Sequence, residues 1–194
     1  MNYPLQLSFK IMALARQLSL TDASGRLVFY VKQKAFKLKE SITVFADAEQ
    51  TMPLYMINAD RVIDFSARYH FSDRNGVVLG SVKRQGMKSL WRSRYDIMEG
   101  ESQTMMIQEA NPWTKVFDSL FGELPIIGMF SGYVFHPSYL VLRPDGSAVM
   151  RLQKEPAFFE GKFKIEKLGP LSDTEEMRAL LSLIMMVLLE RGRG

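Results

Sequence analysis

Two groups of cations are the residues best placed to do chemistry. The denser group runs from Lys83 to Arg94 and holds Lys83, Arg84, Lys88, Arg92 and Arg94, with Trp91 among them and no acid. The second is Lys32, Lys34, Lys37 and Lys39. Clustered ammonium and guanidinium groups can hold phosphates or anionic head groups. Solvated strand faces and turn tips carry such charges as well, so both readings stand at this level. Other reactive side chains are sparse. His70 sits between Tyr69 and Phe71, and strand alternation turns it away from the apolar face. His136 precedes Pro137 in a loop-like setting. Ser24-Gly25 and Ser131-Gly132 read as turns, and Asp60, Arg61 and Asp64 as a turn with a local ion pair. There is no Gly-x-Ser-x-Gly, no P-loop and no dinucleotide-binding glycine pattern. Cysteine is absent, which excludes disulfides, thiolate metal sites and a cysteine nucleophile. The expectation is a protein that is not an enzyme and uses no metal or other cofactor.

The elements that would position those cations follow from an internal repeat. Three segments align on glycines: Leu18 to Val31 on Gly25, Tyr69 to Val82 on Gly76, and Tyr139 to Leu152 on Gly146. Apolar residues recur seven and five positions before each glycine, and two and six positions after it. Alternation of period two on both sides of a turn is a β-hairpin with one face on a core. Asp22 and Asp73, each three residues before a glycine, suit a type I turn closed by a residue at positive φ. In the third copy Pro144 takes the second turn position and Asp145 the third. Further strands are expected near 5–12, 42–45, 52–57, 92–98, 103–109 and 162–168. Roughly a dozen short strands with turns between them imply an antiparallel sandwich or barrel.

Two helices complete the pattern. Trp113, Val116, Phe117, Leu120, Phe121 and Leu124 follow helical spacing inside an insertion at 111–134, and Ile126, Ile127 and Phe130 continue the apolar run. That segment reads as a lid on the β-structure, or as a membrane- or partner-contacting element through Trp113, Phe117, Phe121, Ile126, Ile127 and Phe130. The second helix is expected over 173–191. Ser172-Asp173-Thr174-Glu175 has the form of a capping box. From 179 to 189 the helix is apolar all round apart from Ser182, and it is too short to span a bilayer. Such a helix must be enclosed. A barrel of about 12 strands is too wide for its own side chains to fill, so the consistent architecture is a closed barrel around this helix.

Composition agrees. The chain has 194 residues, 47% hydrophobic and 24% charged, enough apolar material for one large core and too much for disorder. Thirteen methionines suit an irregular lumen. Residues 1–100 hold 15 Lys and Arg against 9 Asp and Glu, a net +6, whereas 101–194 carry a net −2. The N-terminus lacks the charge and apolar run of a signal peptide, so a cytoplasmic protein is expected.

The sequence resembles the LURP-one-related family, within the tubby C-terminal-like superfamily that includes phospholipid scramblases. The residues that carry the resemblance are Leu18 to Gly25, Val28 to Lys34 with Phe36, the repeat at 69–97, and 162–168 running into the apolar terminal helix. It implies a mainly β fold: a 12-stranded antiparallel closed barrel around a buried C-terminal hydrophobic helix, in a single domain over 1–194. It also implies binding of anionic phospholipid head groups through barrel cations, peripheral at the cytoplasmic membrane surface. Lys83, Arg84, Lys88, Arg92, Arg94, Lys32 and Lys34 are the candidates here. The missing cysteines and the lack of an Asp-x-Asp loop depart from the scramblase pattern. The alternative is a protein-interaction barrel that uses 113–130 and has no lipid ligand. Nucleic acid is disfavoured by the small net charge and the lack of aromatics along a basic stripe.

Overall fold

A computed structural model describes residues 1–12, 15–34, 41–60, 67–85, 94–110, 138–156 and 161–191. Within them, the side chains of 11, 12, 15, 16, 33, 34 and 191 are not considered. The insertion at 111–134, with its expected helix, and His136 lie outside the described residues, as do Arg61 and Asp64.

The described residues form twelve strands and one helix. The strands are β1 (Leu5–Met12), β2 (Ala15–Thr21), β3 (Leu27–Lys34), β4 (Ser41–Phe45), β5 (Pro53–Ala59) and β6 (Arg68–Asp73). They continue with β7 (Val78–Arg84), β8 (Arg94–Glu99), β9 (Ser102–Glu109), β10 (Ser138–Leu142), β11 (Ala148–Glu155) and β12 (Gly161–Lys167). The helix α1 spans Asp173–Arg191. Each strand pairs antiparallel with its neighbours in sequence, and β1 pairs with β12, which closes the barrel.

The expected hairpins are β2–β3, β6–β7 and β10–β11. Gly25, Gly76 and Gly146 have φ of 81°, 83° and 87°, the left-handed conformation such a turn needs. Their amides donate to the carbonyls of Asp22, Asp73 and Arg143 at 2.8–3.0 Å. A bulge follows in every copy, at Leu20/Thr21, Phe71/Ser72 and Val141/Leu142.

Inside and outside are sorted by alternation. Leu5, Leu7 and Phe9 on β1, Leu18 and Leu20 on β2, and Ile165 on β12 point into one core. Outward positions are polar, as with Gln6, Ser8, Gln17, Ser19, Lys162 and Lys164. This is the reverse of a membrane barrel, whose apolar band faces out. The helix fills the interior: its side chains from Arg178 to Leu188 are at most 3% exposed. Met185 and Met186 are among them, and Met105 and Met150 meet the same core from the wall. Among the described residues no helix is long and apolar enough to cross a membrane.

The helix entry is built as the sequence implies. Ser172 Oγ accepts from the Glu175 amide at 3.3 Å, and Glu175 Oε2 accepts from the Ser172 amide at 2.9 Å, a reciprocal capping box. Arg143 on the third hairpin donates to Glu175 at 2.9 Å. Tyr3 and Lys167 both donate to Glu176, at 3.0 and 2.5 Å. The start of the chain, the last strand and the helix entry are thus tied together.

Candidate functional site

An up-and-down barrel has two ends, and here they differ in charge. Odd-numbered strands run away from the three repeated turns, and α1 runs the same way. One end therefore carries turns 22–26, 73–77 and 143–147 and the start of α1. The far end carries the last residues of β1, β3 and β7, the first residues of β8 and β12, and the end of α1.

The turn end is acidic. Asp22, Asp47, Asp73, Glu99, Glu101 and Asp145 lie in or beside its turns, and α1 opens with Asp173, Glu175 and Glu176. Of its cations, Arg26, Arg143 and Lys167 are paired with Asp22, Glu175 and Glu176, and Arg74 is exposed in the 73–77 turn. Asp22 accepts from Ser24 Oγ and from the Ser24 and Arg26 amides, and these bonds hold its carboxyl below the usual range. Asp145 is lowered in the same way by the hydroxyl and amide of Ser147. Acids at the N-terminal end of α1 also complement its dipole.

The far end is basic. Lys10, Lys32, Lys83, Arg94 and Lys162 are exposed there. The acids nearby among the described residues are Asp60, Asp96, Glu109, Glu155 and Glu190; Asp60 accepts from the Arg68 amide, and Asp96 and Glu190 are engaged by cations of the same rim. Register assembles two basic surfaces. On the first, Lys10, Gln17 and Lys32 lie opposite one another across β1, β2 and β3, and Lys162 opposes Ser8 one row away. On the second, Lys83 lies between Arg68 on β6, whose guanidinium is held by Glu101 at 2.8 Å, and Asp96 on β8. Arg94 Nε donates to Asp96 at 3.1 Å, and Gln85 Nε2 donates to the other oxygen of that carboxylate. The side chains of Lys32, Lys83 and Lys162 make no hydrogen bond or ion pair among the described residues.

The expected site residues therefore divide. Lys32 and Lys83 are exposed at the same end, but β4, β5 and β6 separate their strands, which is about 19 Å of wall at the usual spacing. Arg84 shares the inward face with Val82. Its guanidinium lies 5.9 Å from the centre of the Tyr95 ring and 3.7 Å from Glu190, and its side chain is 16% exposed. It closes the barrel mouth over the end of α1. Tyr95 donates to Glu190 at 2.5 Å, and burial, with that carboxylate beside it, pushes its phenol well above the ordinary range. Lys34 ends β3 opposite Ala15, and its side chain is not among those described. Lys88 and Arg92 lie outside the described residues, as do Trp113, Phe117, Phe121, Ile126, Ile127 and Phe130. His70 is exposed on the outer face of β6, as alternation requires. Sequence reasoning passed over Lys10 and Lys162. Alternation within β1 and β12 marks both as outward; the register of β1, β2 and β3 sets Lys10 on the row of Lys32, and closure of β12 on β1 sets Lys162 one row away.

Comparison with known proteins gives a family. The model of the LURP-one-related family matches residues 27–123, half of the chain. The X-ray structure of a protein from Arabidopsis thaliana aligns with 95% of this chain and 91% of its own, at 16% sequence identity and a TM-score of 0.47. No curated protein matches the chain.

Proposed function

The chain belongs to the LURP-one-related family, and from that membership and the sorting of charge along the barrel we propose that it is a non-catalytic binding module. Its basic end takes anionic phospholipid head groups at the cytoplasmic surface of a membrane. The observation that carries this reading is the contrast between the two ends. Lys10, Lys32, Lys83, Arg94 and Lys162 are exposed at one, while at the other Arg26, Arg143 and Lys167 are held by carboxylates. A molecule so polarised turns its basic end toward a negative surface. The rigid barrel holds the cations in fixed register, and the filled interior supports a site on the outer rim. The engagement of carboxylates in turns, the helix cap and ion pairs supports a structural role for them.

Vesicle co-sedimentation tests the proposal. At low salt the chain is expected to sediment with mixed phosphatidylserine–phosphatidylcholine vesicles and to stay in solution with phosphatidylcholine alone. Equal partition onto both would reject it.

A further inference from the structure

The large apolar side chains left exposed are unevenly spread. Among the described residues they are Met1, Met52, Met56, Val77, Val78 and Leu168. All but Met56 lie at the turn end: Met1 precedes β1, Leu168 follows β12, Met52 precedes β5, and Val77 and Val78 lead into β7. Met56 is midway along β5, and the basic end has none. Four of them share one surface. Register sets Met56 on β5 opposite Ser72 on β6, and Ser72 opposite Val78 on β7. This row faces out, because Ile57 and Phe71, the next residues on β5 and β6, are fully buried. Two strand spacings, about 10 Å, separate Met56 from Val78, and the small side chain of Ser72 leaves a shallow apolar trough between them. Val77 continues it to the tip of the β6–β7 hairpin, beside the neighbouring β4–β5 hairpin that carries Met52.

Exposure is 55% at Met52, 40% at Met56, 58% at Val77 and 71% at Val78. Single exposed apolar residues are ordinary, but a patch of them with a charged rim marks an interaction site. Every link between strands at this end is among the described residues. The rim is acidic, and its carboxylates are tied to the patch. Asp73 accepts from the Val77 amide and Asp47 from the Met52 amide, both at 2.8 Å, so each acid is fixed beside an exposed apolar residue. Glu49 is exposed in the same turn as Asp47. Arg74 is the one cation of these two turns, and β4 and β5 carry no charged residue.

Charge and apolarity together select the occupant. The acidic rim repels an anionic membrane. A second copy docked symmetrically would bring the same acids face to face. Docked head to tail, it would offer a basic end that exposes no large apolar side chain among the described residues. We infer that this surface docks a basic amphipathic helix of a partner protein. The apolar face of that helix rests on Met56, Val77 and Val78, and its lysines or arginines meet Asp47, Glu49 and Asp73. Flexible thioethers at Met52 and Met56 adapt to such a face, and docking of an amphipathic helix on an apolar surface is a recurring mode of recognition. The surface lies at the opposite end from the lysines proposed to meet lipid, does not depend on that reading, and is tested without vesicles.

The test uses the full chain, isotope-labelled at its methionine methyls, and a fluorescein-labelled peptide of about five helical turns with leucine on one face and lysine on the other. At low salt, fluorescence anisotropy should show saturable binding. The methyl resonances of Met52 and Met56 should shift with it, while those of buried Met105, Met150 and Met185 stay in place. Replacing every lysine of the peptide by glutamate should abolish binding. Met56→Thr combined with Val78→Thr should weaken binding by about tenfold, and Glu49→Lys by about threefold. All three positions are exposed, so circular dichroism should show both proteins folded. Equal affinity for the wild type and the Met56→Thr, Val78→Thr protein would overturn the proposal, as would methyl shifts that omit Met52 and Met56. Self-association of the free chain that is lost in the same double variant would overturn it in favour of a second copy.

Discussion

Arg178 leaves the barrel interior beside Gly80, and the absent side chain of that glycine is the opening through which it passes. A Cβ built on Gly80 would lie 2.7 Å from Arg178 Nε and 2.4 Å from the Met98 carbonyl oxygen. The guanidinium donates to the Leu79 carbonyl at 2.7 Å and to Thr104 Oγ1 at 3.2 Å, and reaches Glu99 at 2.7 Å. Arg178 is 1% exposed and the side chain of Glu99 is 63% exposed. A cation rooted on the central helix is thereby neutralised outside the wall.

Gly80→Ala should be among the most damaging single methyl additions in the molecule. It meets both a φ of 139° and a backbone carbonyl that cannot move aside. A loss of about 3 kcal/mol or more is expected in urea unfolding. Gly25→Ala is the control: φ is 81°, but nothing lies near the new Cβ, so the cost should be about 1–2 kcal/mol. Equal costs at the two positions would refute the wall-opening role of Gly80.

The two partners of the ion pair should respond unequally. Arg178→Ala removes a packed buried side chain and the donor to the Leu79 carbonyl and Thr104 hydroxyl, at about 3 kcal/mol or more. Glu99→Gln leaves Arg178 those two acceptors and nearby water, and should cost about 1 kcal/mol or less. Chemical denaturation of both variants checks the order.

Acid should weaken the turn end first. Asp22, Asp47 and Asp145 titrate below their ordinary 3.8 when folded, mainly because they accept bonds from turn hydroxyls and amides. Their contribution is complete above the unfolded pKa and is lost as pH falls through the lower folded values. Stability measured by urea at decreasing pH should therefore drop below about pH 4. Asp22→Asn, which cannot titrate, should flatten that limb.

Much of this architecture is legible in the sequence because its causes are local. The spacing of Asp22 and Asp73 before their glycines, and Ser172 with Glu175, encode turns and a cap within a few residues, and each forms as expected. Enclosure of α1 follows from its lack of a polar face. The arrangement of charge is a different matter. Arg84 is inward by simple alternation from Val82, but its partner Glu190 lies more than a hundred residues later. Lys10 and Lys32 share a row only through the register of two hairpin strands. The Arg178 exit beside Gly80 arises from closure of the whole barrel, which no single segment encodes.

Lipid binding should scale with the cations of one end. Lys32→Gln and Lys83→Gln are each expected to weaken co-sedimentation with phosphatidylserine-containing vesicles by about fivefold at low salt. Arg74→Gln, in a turn at the acidic end, should leave it unchanged. Raising the ionic strength should reduce the wild-type signal, since exposed charges are screened. Equal losses from Lys83→Gln and Arg74→Gln would show that net charge, and not the basic rim, governs association.

The helix that fills the barrel follows every strand in chain order, and this constrains biosynthesis. As the polypeptide emerges from the ribosome, β1 waits for β12 to close the wall, and the entire wall waits for α1 to fill it. Through most of translation the inward faces of twelve strands have nothing to rest on. The nascent chain therefore stays an open, sticky sheet precursor until α1 clears the exit tunnel, and then completes this barrel in one late, concerted event. A ribosome stalled before α1 would hold a client for chaperones, and release past it would end that dependence.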